Sequence, residues 1–241
     1  MIDAEAMKPF GLAIADYFGG DTRAAVKIFR DDSEISDLAI GSFFRGPTAI
    51  PLDAIALDNC RGRVLDVGAG AGIHSLYLQN KGFSVCAMDV SPEACEVMRK
   101  RGVKEVYCAS FADFKAKPFD MLLILGRSVG MVENLAGLDS FLKDARKLVK
   151  RRGQILLNSL DVSKTTDPQH LAYQKANIRA GRYIGEIKMR LEYKGIRGPV
   201  TGFLHVDAAT LAEHAAKAGW PCEILVQEKD GNYLARLTRK N

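Results

Sequence analysis

The stretch that decides the fold is RVLDVGAGAGIHSLYLQ, residues Arg63–Gln79. An apolar run ends at Val67 and is followed by glycines at positions 68, 70 and 72, in the spacing G-x-G-x-G. Apolar residues then recur at helical spacing. Glycines after a strand let a ligand approach the backbone, and the start of the next helix presents free N–H groups. The stretch therefore predicts a nucleotide-type ligand at a strand–helix turn.

Segments typical of strands and helices alternate around this turn. Candidate strands are 62–67, 83–89, 104–109, 119–125 and 153–160, and candidate helices are 72–81, 92–101 and 135–150. Alternation with apolar strands predicts an α/β fold, in which a doubly wound parallel sheet is covered by helices on both faces. Ligands of such sheets bind beyond the carboxyl ends of the strands, which is where the glycines lie.

The flanking segments follow another pattern. Residues 4–18 predict a helix, 24–44 a hairpin and 50–60 a short helix. After residue 160 the pattern predicts a helix capped by Asp167, an antiparallel strand pair, a helix capped by Asp207 and a hairpin that turns at Asp230-Gly231. We expect one domain over 1–241, with a core at 59–160 and 207–241, a helix and hairpin lid at 1–58, and an insertion at 161–206 that caps an acceptor site.

The composition excludes several classes of protein. The chain has 241 residues, 47% of them hydrophobic, which fits one soluble domain. No apolar run could span a bilayer and the N-terminus does not resemble a signal peptide, so we expect a cytoplasmic protein with no membrane partner. Five cysteines without a C-x-x-C pair predict neither a disulfide nor a metal site, and Cys86 and Cys108 are expected to be buried. The net charge of +5 comes with basic clusters at helix ends that lack interleaved aromatic residues, which disfavours a nucleic-acid partner.

Two acids indicate which ligand the glycine turn binds. Asp66 precedes the glycines, where a carboxylate repels phosphate and attracts an ammonium group. Asp89 ends the next strand, where an acid accepts hydrogen bonds from ribose hydroxyls. A dinucleotide loop would have glycine in place of Ile73. A ligand with a ribose, a cationic amine and no phosphate satisfies both acids, and S-adenosylmethionine is such a ligand.

The same residues resemble a known family. VLDVGAGAG looks like the first motif of the class I S-adenosylmethionine-dependent methyltransferases, and VCAMDVSPEACEVMRKRGV looks like their second strand and helix. The resemblance covers about residues 58–160 and 207–239. It extends to a bacterial and archaeal subgroup with the segment HLAY. It implies a Rossmann-like, mostly parallel seven-stranded sheet with an antiparallel C-terminal hairpin.

The resemblance also implies roles for individual residues. Asp66 would lie near the methionine ammonium group, Asp89 would bind the ribose hydroxyls and Val90 would pack on the adenine. Gly126 would approach the cofactor, and Ser110 with Phe111 occupies the place of an acid that contacts the adenine amino group. The floor under the methionine and ribose would be formed by Gly68, Ala69, Gly70 and Gly72.

The methyl acceptor is expected under the variable segments 1–58 and 161–206. The candidate residues from these segments are Tyr17, Phe43, Phe44, Arg45, Asp161, His170, Tyr173, Tyr183 and His205. Of these, Asp161, His170, Tyr173 and His205 are the catalytic candidates. The segment GRSVGM lacks the prolines and the aromatic residue that DNA amino-methyltransferases use to stack a flipped base, so a small-molecule acceptor is favoured. The pattern of the helix that contains HLAY is equally compatible with a lid and with a homodimer surface.

Two alternatives remain open at this stage. An NAD-dependent oxidoreductase shares the strand–turn–helix–acid layout, although Ile73 and Asp66 disfavour it. A non-catalytic S-adenosylmethionine-binding module would explain the lack of a recognisable catalytic signature.

Overall fold

A seven-stranded sheet forms the centre of the molecule, for which a computed structural model describes residues 1–240. Its strand order is β11-β12-β7-β6-β3-β4-β5, and β12 alone runs antiparallel to its neighbours. The predicted mostly parallel sheet with an antiparallel C-terminal hairpin is thus confirmed. The strands are β3 (Arg63–Val67), β4 (Ser84–Asp89), β5 (Val106–Cys108), β6 (Phe119–Ile124), β7 (Val149–Leu160), β11 (Cys222–Gln227) and β12 (Asn232–Thr238).

A second, antiparallel sheet joins two segments that lie far apart in the chain. Its order is β10-β8-β1-β2, with the short β9 beside β8. The N-terminal hairpin and the strand pair of the insertion were predicted separately, and the structure pairs β1 with β8 into one sheet. Its strands are β1 (Ala25–Arg30), β2 (Ile35–Ala39), β8 (Glu186–Tyr193), β9 (Ile196–Arg197) and β10 (Thr201–Leu204).

Seven α-helices cover the sheets, and side chains cap several of them. The helices are α1 (Ala4–Phe18), α2 (Pro51–Asp58), α3 (Ile73–Asn80), α4 (Pro92–Lys100), α5 (Leu135–Leu148), α6 (Pro168–Arg179) and α7 (Ala208–Lys217). Asp167 accepts hydrogen bonds from two backbone N–H groups at the start of α6, and Asp207 does the same for α7. These bonds satisfy backbone donors that a helix otherwise leaves unpaired, so each helix begins directly after its predicted cap.

Alternate residues of the large sheet supply the apolar core. Leu65 packs on one face with α5 and α7, around Trp220, whereas Val64 packs on the other with α2 and α3. Successive side chains of a strand point to opposite faces, so Leu65 and Val67 of β3 are buried on one face and Val64 on the other. This burial holds the carboxyl ends of the parallel strands in fixed positions.

Two local expectations were wrong. Ile40–Phe43, expected within the second strand of the hairpin, forms a 3-10 helix. Cys86 is buried as expected, but Cys108 is exposed, because β5 is the edge strand of the large sheet. None of the helices within residues 1–240 is long and apolar enough to cross a membrane.

Candidate functional site

The glycine turn between β3 and α3 is held by backbone bonds to the neighbouring strand. The N–H groups of Gly68 and Ala69 both donate to the carbonyl oxygen of Met88, at 2.8 and 3.0 Å. Gly68, Gly70 and Gly72 all have positive φ angles, of 69°, 56° and 78°. These backbone conformations favour glycine. The turn therefore brings bare backbone to the carboxyl ends of β3 and β4.

Asp89 links this turn to the start of α4. One carboxylate oxygen accepts a hydrogen bond from Gly70 N at 2.9 Å, and the other accepts from Ser91 N at 2.9 Å. Burial raises the pKa of Asp89, and the N–H groups of Ser91 and Gly70 oppose that rise. Each oxygen has a second lone pair, and the side chain lines the cavity described next. Asp89 can therefore accept two further hydrogen bonds from a ligand.

A cavity of about 770 Å³ opens beside the turn. One wall comes from the carboxyl ends of the large sheet and includes the predicted residues Gly68, Gly70, Asp89, Val90, Ser110, Phe111 and Gly126. Its size lies in the upper part of the range, about 300–1,000 Å³, in which protein ligand pockets fall. The opposite wall is the inner face of the second sheet.

That inner face is apolar in its middle. Ile187, Met189 and Leu191 of β8 alternate into the cavity, as strand geometry requires. The strand register places Phe203 opposite Ile187 and Ile28 opposite Leu191. The sequence predicts a strand at EIKMRLEY and an acceptor under segments 1–58 and 161–206, but it does not predict the pairing of β1 with β8.

The structure places Asp66 away from the cavity wall. Its side chain is 2% exposed and accepts a hydrogen bond from Ser75 Oγ at 2.7 Å, at the start of α3. Burial raises its pKa, while the nearby His74 and Ser75 lower it. Ala69 and Gly72 also lie off the wall: an added Cβ at Gly72 would meet Met98 Cγ at 2.9 Å. One oxygen of Asp66 is thus bonded to α3, and the expected position of Asp66 near the methionine ammonium group stays a prediction.

The two residues expected near the adenine have different environments. Phe111 is 3% exposed and packs on Phe141, with ring centroids 4.6 Å apart, so it belongs to both the core and the cavity wall. Ser110 Oγ donates to Asp113 Oδ2 at 2.6 Å. Asp113 is exposed and does not line the cavity.

Two of the catalytic candidates have their polar atoms engaged by neighbours. The Tyr173 hydroxyl donates to Asp31 Oδ1 at 2.6 Å and accepts from Lys188 N at 3.0 Å. Burial and the hydrogen bond to Asp31 raise the pKa of Tyr173 to about 12. His170 is exposed and lies 3.4 Å from Glu34 Oε1 through its Nε2. Both line the cavity while they contact these neighbours.

The other two candidates lie on the same cavity. Asp161 Oδ1 accepts hydrogen bonds from the N–H and the hydroxyl of Ser163, at 3.0 and 2.5 Å. His205 follows β10, and its Nδ1 is buried without a hydrogen-bond partner within residues 1–240. Burial and the nearby Arg127 lower the pKa of His205 to about 4, so its imidazole is neutral at pH 7.

Arg127 is a cavity residue to which the sequence assigned no role. Its backbone has a φ of 61°, a left-handed conformation that is uncommon for a residue other than glycine. The backbone N–H donates to Asn158 Oδ1 at 2.9 Å, and Nε and Nη2 donate to Asn232 Oδ1 at 3.2 and 2.7 Å. Burial lowers the pKa of Arg127, whereas Asp230 raises it. The sequence shows Arg127 only as a cation beside Gly126 after a strand, whereas its half-buried, left-handed position is visible only in the structure.

Most candidates from the N-terminal segment lie outside the cavity. Phe43 alone among them lines it, with its ring next to Gly70. Tyr17 stacks on Phe44 with centroids 4.6 Å apart, and Arg45 pairs with the buried Asp53 at 2.5 Å. From the insertion, Tyr183 donates to the N-cap Asp207. These side chains stabilise the fold around the cavity.

Comparison with known proteins identifies relatives of the whole chain. A family model described as a methyltransferase domain matches residues 65–157. An S-adenosylmethionine-dependent methyltransferase from Bacteroides fragilis, solved in complex with S-adenosyl-L-homocysteine, is 32% identical to this chain with a TM-score of 0.86. That alignment covers 100% of this chain and 98% of the B. fragilis chain, so it includes both sheets.

More distant relatives match parts of the chain. An S-adenosylmethionine-dependent methyltransferase from Methanosarcina mazei shares the fold at 14% identity, with a TM-score of 0.61 over 77% of this chain and 97% of that one. The demethylmenaquinone methyltransferase of Tropheryma whipplei (strain Twist) is 29% identical over 105 residues, 39% of this chain. The chain spans about 40% of the length of this curated relative.

Proposed function

Because this chain belongs to the class I S-adenosylmethionine-dependent methyltransferases, we propose that it transfers a methyl group from S-adenosylmethionine to a small-molecule acceptor. The observation that carries the proposal is the Asp89 carboxylate, whose two oxygens are fixed by Gly70 N and Ser91 N on the wall of the large cavity. The sulfonium of the bound cofactor supplies an activated methyl group, and S-adenosyl-L-homocysteine is the product. The NAD-dependent alternative has no support from the family.

The residues around the turn fit this cofactor. Asp89 would accept hydrogen bonds from the ribose hydroxyls, and Val90 with Phe111 would flank the adenine. Gly68, Gly70 and Gly126 would let the cofactor approach the backbone, since each has a positive φ and no side chain in the cavity. Ala69 and Gly72 would shape the turn from behind. Asp66 would hold the turn through Ser75 and lie near the methionine ammonium group.

The second sheet would bind the acceptor and exclude water. Segment 161–206 contributes β8 and β10 to the cavity wall, so we propose it as the cap of the acceptor site within the domain over 1–241, with 1–58 as its partner. Alignment of a nucleophile with the methyl group and removal of water are the main demands of this in-line displacement. His205 would contact the acceptor, while Asp161, His170 and Tyr173 would shape the site.

The proposal is tested by titration calorimetry with S-adenosyl-L-homocysteine. We expect the protein to bind it and expect Asp89→Ala to weaken binding by about 100-fold or more, since two hydrogen bonds to a charged group are lost at about 1.5 kcal/mol each. Asp37→Ala, which removes an exposed carboxylate of β2 that does not line the cavity, should bind like the parent protein. Absence of binding by the parent protein, or full affinity in a folded Asp89→Ala variant, would contradict the proposal.

Three further aspects belong to the same proposal. The cytoplasm is the proposed location, supported by five cysteines that are all free. A small molecule is favoured over nucleic acid because the acceptor wall is apolar rather than cationic. The homodimer remains a prediction; exposed Leu171 and Ile178 on α6 are the surface whose association sedimentation velocity would detect.

A further inference from the structure

The cavity contains a cation without an anionic partner. The Arg127 guanidinium bonds only to the neutral amide oxygen of Asn232, and it makes no ion pair within residues 1–240. Its Nη1 has no hydrogen-bond partner in the same part of the chain. Arg127 is half-buried, and a charge partly withdrawn from water costs free energy when no anion is paired with it. A ligand that brings an anion to Nη1 would remove that cost.

The other charged groups of the cavity are already occupied. The nearest acid, Asp230, accepts from the N–H and the side-chain amide of Asn232, at 3.0 and 2.7 Å. Arg30 is paired with Asp32 and Glu34, and its guanidinium lies 4.3 Å over the Tyr173 ring. The Met1 ammonium is paired with Glu133 at 2.7 Å, and the remaining titratable groups on the walls are Asp89, Asp161, His170 and His205. The charge of Asp230 acts on Arg127, but within residues 1–240 no carboxylate forms an ion pair with the guanidinium.

Three of the groups on the cavity wall that could take a proton from the acceptor are engaged by neighbours or weakly basic. Tyr173 and Asp161 are engaged, and the imidazole of His205 is a weak base whose Nδ1 is out of reach of solvent. A protonated amine would meet Arg127 and the cofactor sulfonium, two like charges that repel it. A nucleophile that arrives as an anion meets the opposite situation, because both cations attract it.

We propose that the acceptor is an apolar molecule with one acidic hydroxyl of the phenol or enol kind, which reacts as its anion paired with Arg127. This inference rests on the proposed methyltransferase function. The apolar body would pack on Met189, Ile187 and Phe203, and His205 would flank the oxygen. In the transfer, the acceptor oxygen forms a bond to the methyl carbon as the carbon–sulfur bond breaks and its electron pair stays on sulfur. The anion and the sulfonium both become neutral, so no proton has to move.

The test uses 4-nitrophenol, whose phenol and phenolate absorb at different wavelengths, added to the full-length protein saturated with S-adenosyl-L-homocysteine. We expect the bound probe to ionise at a pH at least one unit below its value in water, since a neighbouring cation favours the charged form. Arg127→Gln should abolish this shift, and Arg127→Lys should retain part of it. Lys175→Gln, which removes an exposed cation of α6, is the matched control and should leave the shift unchanged.

Two further measurements make the result decisive. 4-Nitroaniline, which cannot form the anion, should bind the parent protein and Arg127→Gln equally. Met189→Gln should weaken binding of 4-nitrophenol several-fold, whereas Lys188→Gln on the opposite face of β8 should not.

An unshifted or absent phenolate signal, or a loss of S-adenosyl-L-homocysteine affinity above tenfold in Arg127→Gln, would overturn the inference. The last result would assign Arg127 to the cofactor carboxylate. Failure of the parent protein to bind S-adenosyl-L-homocysteine would instead contradict the proposed function.

Discussion

At the scale of single residues, Asp89 and Arg127 show two ways of placing charge in a cavity. Asp89 is fixed by two backbone N–H groups, so a ligand finds its remaining lone pairs already oriented. Arg127 is fixed by two amide oxygens and keeps its charge without a counter-ion. The first arrangement suits neutral hydroxyl donors, and the second suits an anion. Together they make one cavity suitable for two ligands of different chemistry.

Gly72 should be the least replaceable glycine of the turn. Gly72→Ala places a Cβ 2.9 Å from Met98 Cγ and 3.1 Å from Val103 Cγ2, at a φ of 78°. We expect a loss of about 2–4 kcal/mol in the free energy of unfolding, from the left-handed backbone and from overpacking. Urea denaturation measures it. Gly181→Ala, at a φ of 69° with no neighbour within 4 Å, should show only the backbone cost of about 1–2 kcal/mol. Equal losses in both variants would refute the packing argument.

His205 should make the protein less stable in acid. Folding keeps the imidazole neutral, with its pKa lowered from 6.5 to about 4 by burial and Arg127, so the unfolded chain binds the proton first as the pH falls. Stability is therefore complete above about pH 6.5 and is lost progressively down to about pH 4, by up to about 3 kcal/mol. Urea denaturation between pH 7 and 4.5 would measure this slope. His205→Phe should flatten it, and an unchanged slope in that variant would contradict the assignment.

At the scale of elements, two N-caps of the same type differ in what surrounds them. Asp167 caps α6 at the surface, whereas Asp207 caps α7 and also accepts hydrogen bonds from Tyr183 and Thr210. Burial alone would raise the pKa of Asp207, but the bonds from Thr210 and Tyr183 lower it on balance. The cap of α7 therefore also fixes the start of segment 183–206, which leads into the second sheet.

Removal of the two caps should have unequal costs. Asp167→Ala should reduce the free energy of unfolding by about 1 kcal/mol, the usual value for an exposed cap. Asp207→Ala should cost about 2–4 kcal/mol, because the buried Tyr183 hydroxyl also loses its acceptor. Thermal unfolding of both variants would measure this difference in stability. Tyr183→Phe in the Asp207→Ala background should recover part of the lost free energy of unfolding. No recovery would show that the tyrosine hydroxyl does not contribute to the loss.

At the scale of the whole molecule, the second sheet makes the cavity depend on chain segments about 160 residues apart. β8 lies between β1 and β10, so the hairpin and the insertion each supply hydrogen bonds to the other. Neither segment could form this wall alone, because a two-stranded hairpin is marginally stable in water. The acceptor wall should therefore form and open as one unit.

Hydrogen exchange tests this cooperativity. Ile28→Pro removes a backbone donor in the middle of β1, and we expect exchange in Glu186–Tyr193 to accelerate at least tenfold. Strands β3 and β6 of the large sheet serve as internal controls and should retain their protection. Faster exchange confined to β1 and β2 would show that the two segments fold independently.

The sequence by itself determined the large sheet, the glycine turn and the kind of cofactor. These features depend on residues that are close together in the chain. Apolar runs predict buried strands, and glycines predict turns with positive φ angles. Asp89 ends the second strand of a βαβ unit, so it lies beside the glycine turn that follows the first strand of the same unit. Asp89 was therefore placed correctly on the site, although its binding role is still a prediction. The hydrogen bond from Ser75 to Asp66 is not visible in the pattern, and the role of Asp66 at the ligand also stays a prediction.

Only the tertiary structure decided the acceptor wall and the charge balance of the cavity. Ile28, Met189 and Phe203 lie in segments whose periodicity predicts strands but does not indicate which strands pair with each other. The register that aligns them comes from long-range pairing. Likewise, nothing in GRSVGM shows that Arg127 meets Asn232 rather than an acid. Period-two patterns encode which face of a strand is apolar, whereas the identity of the facing strand and the counter-ion of a buried cation depend on contacts across the whole chain.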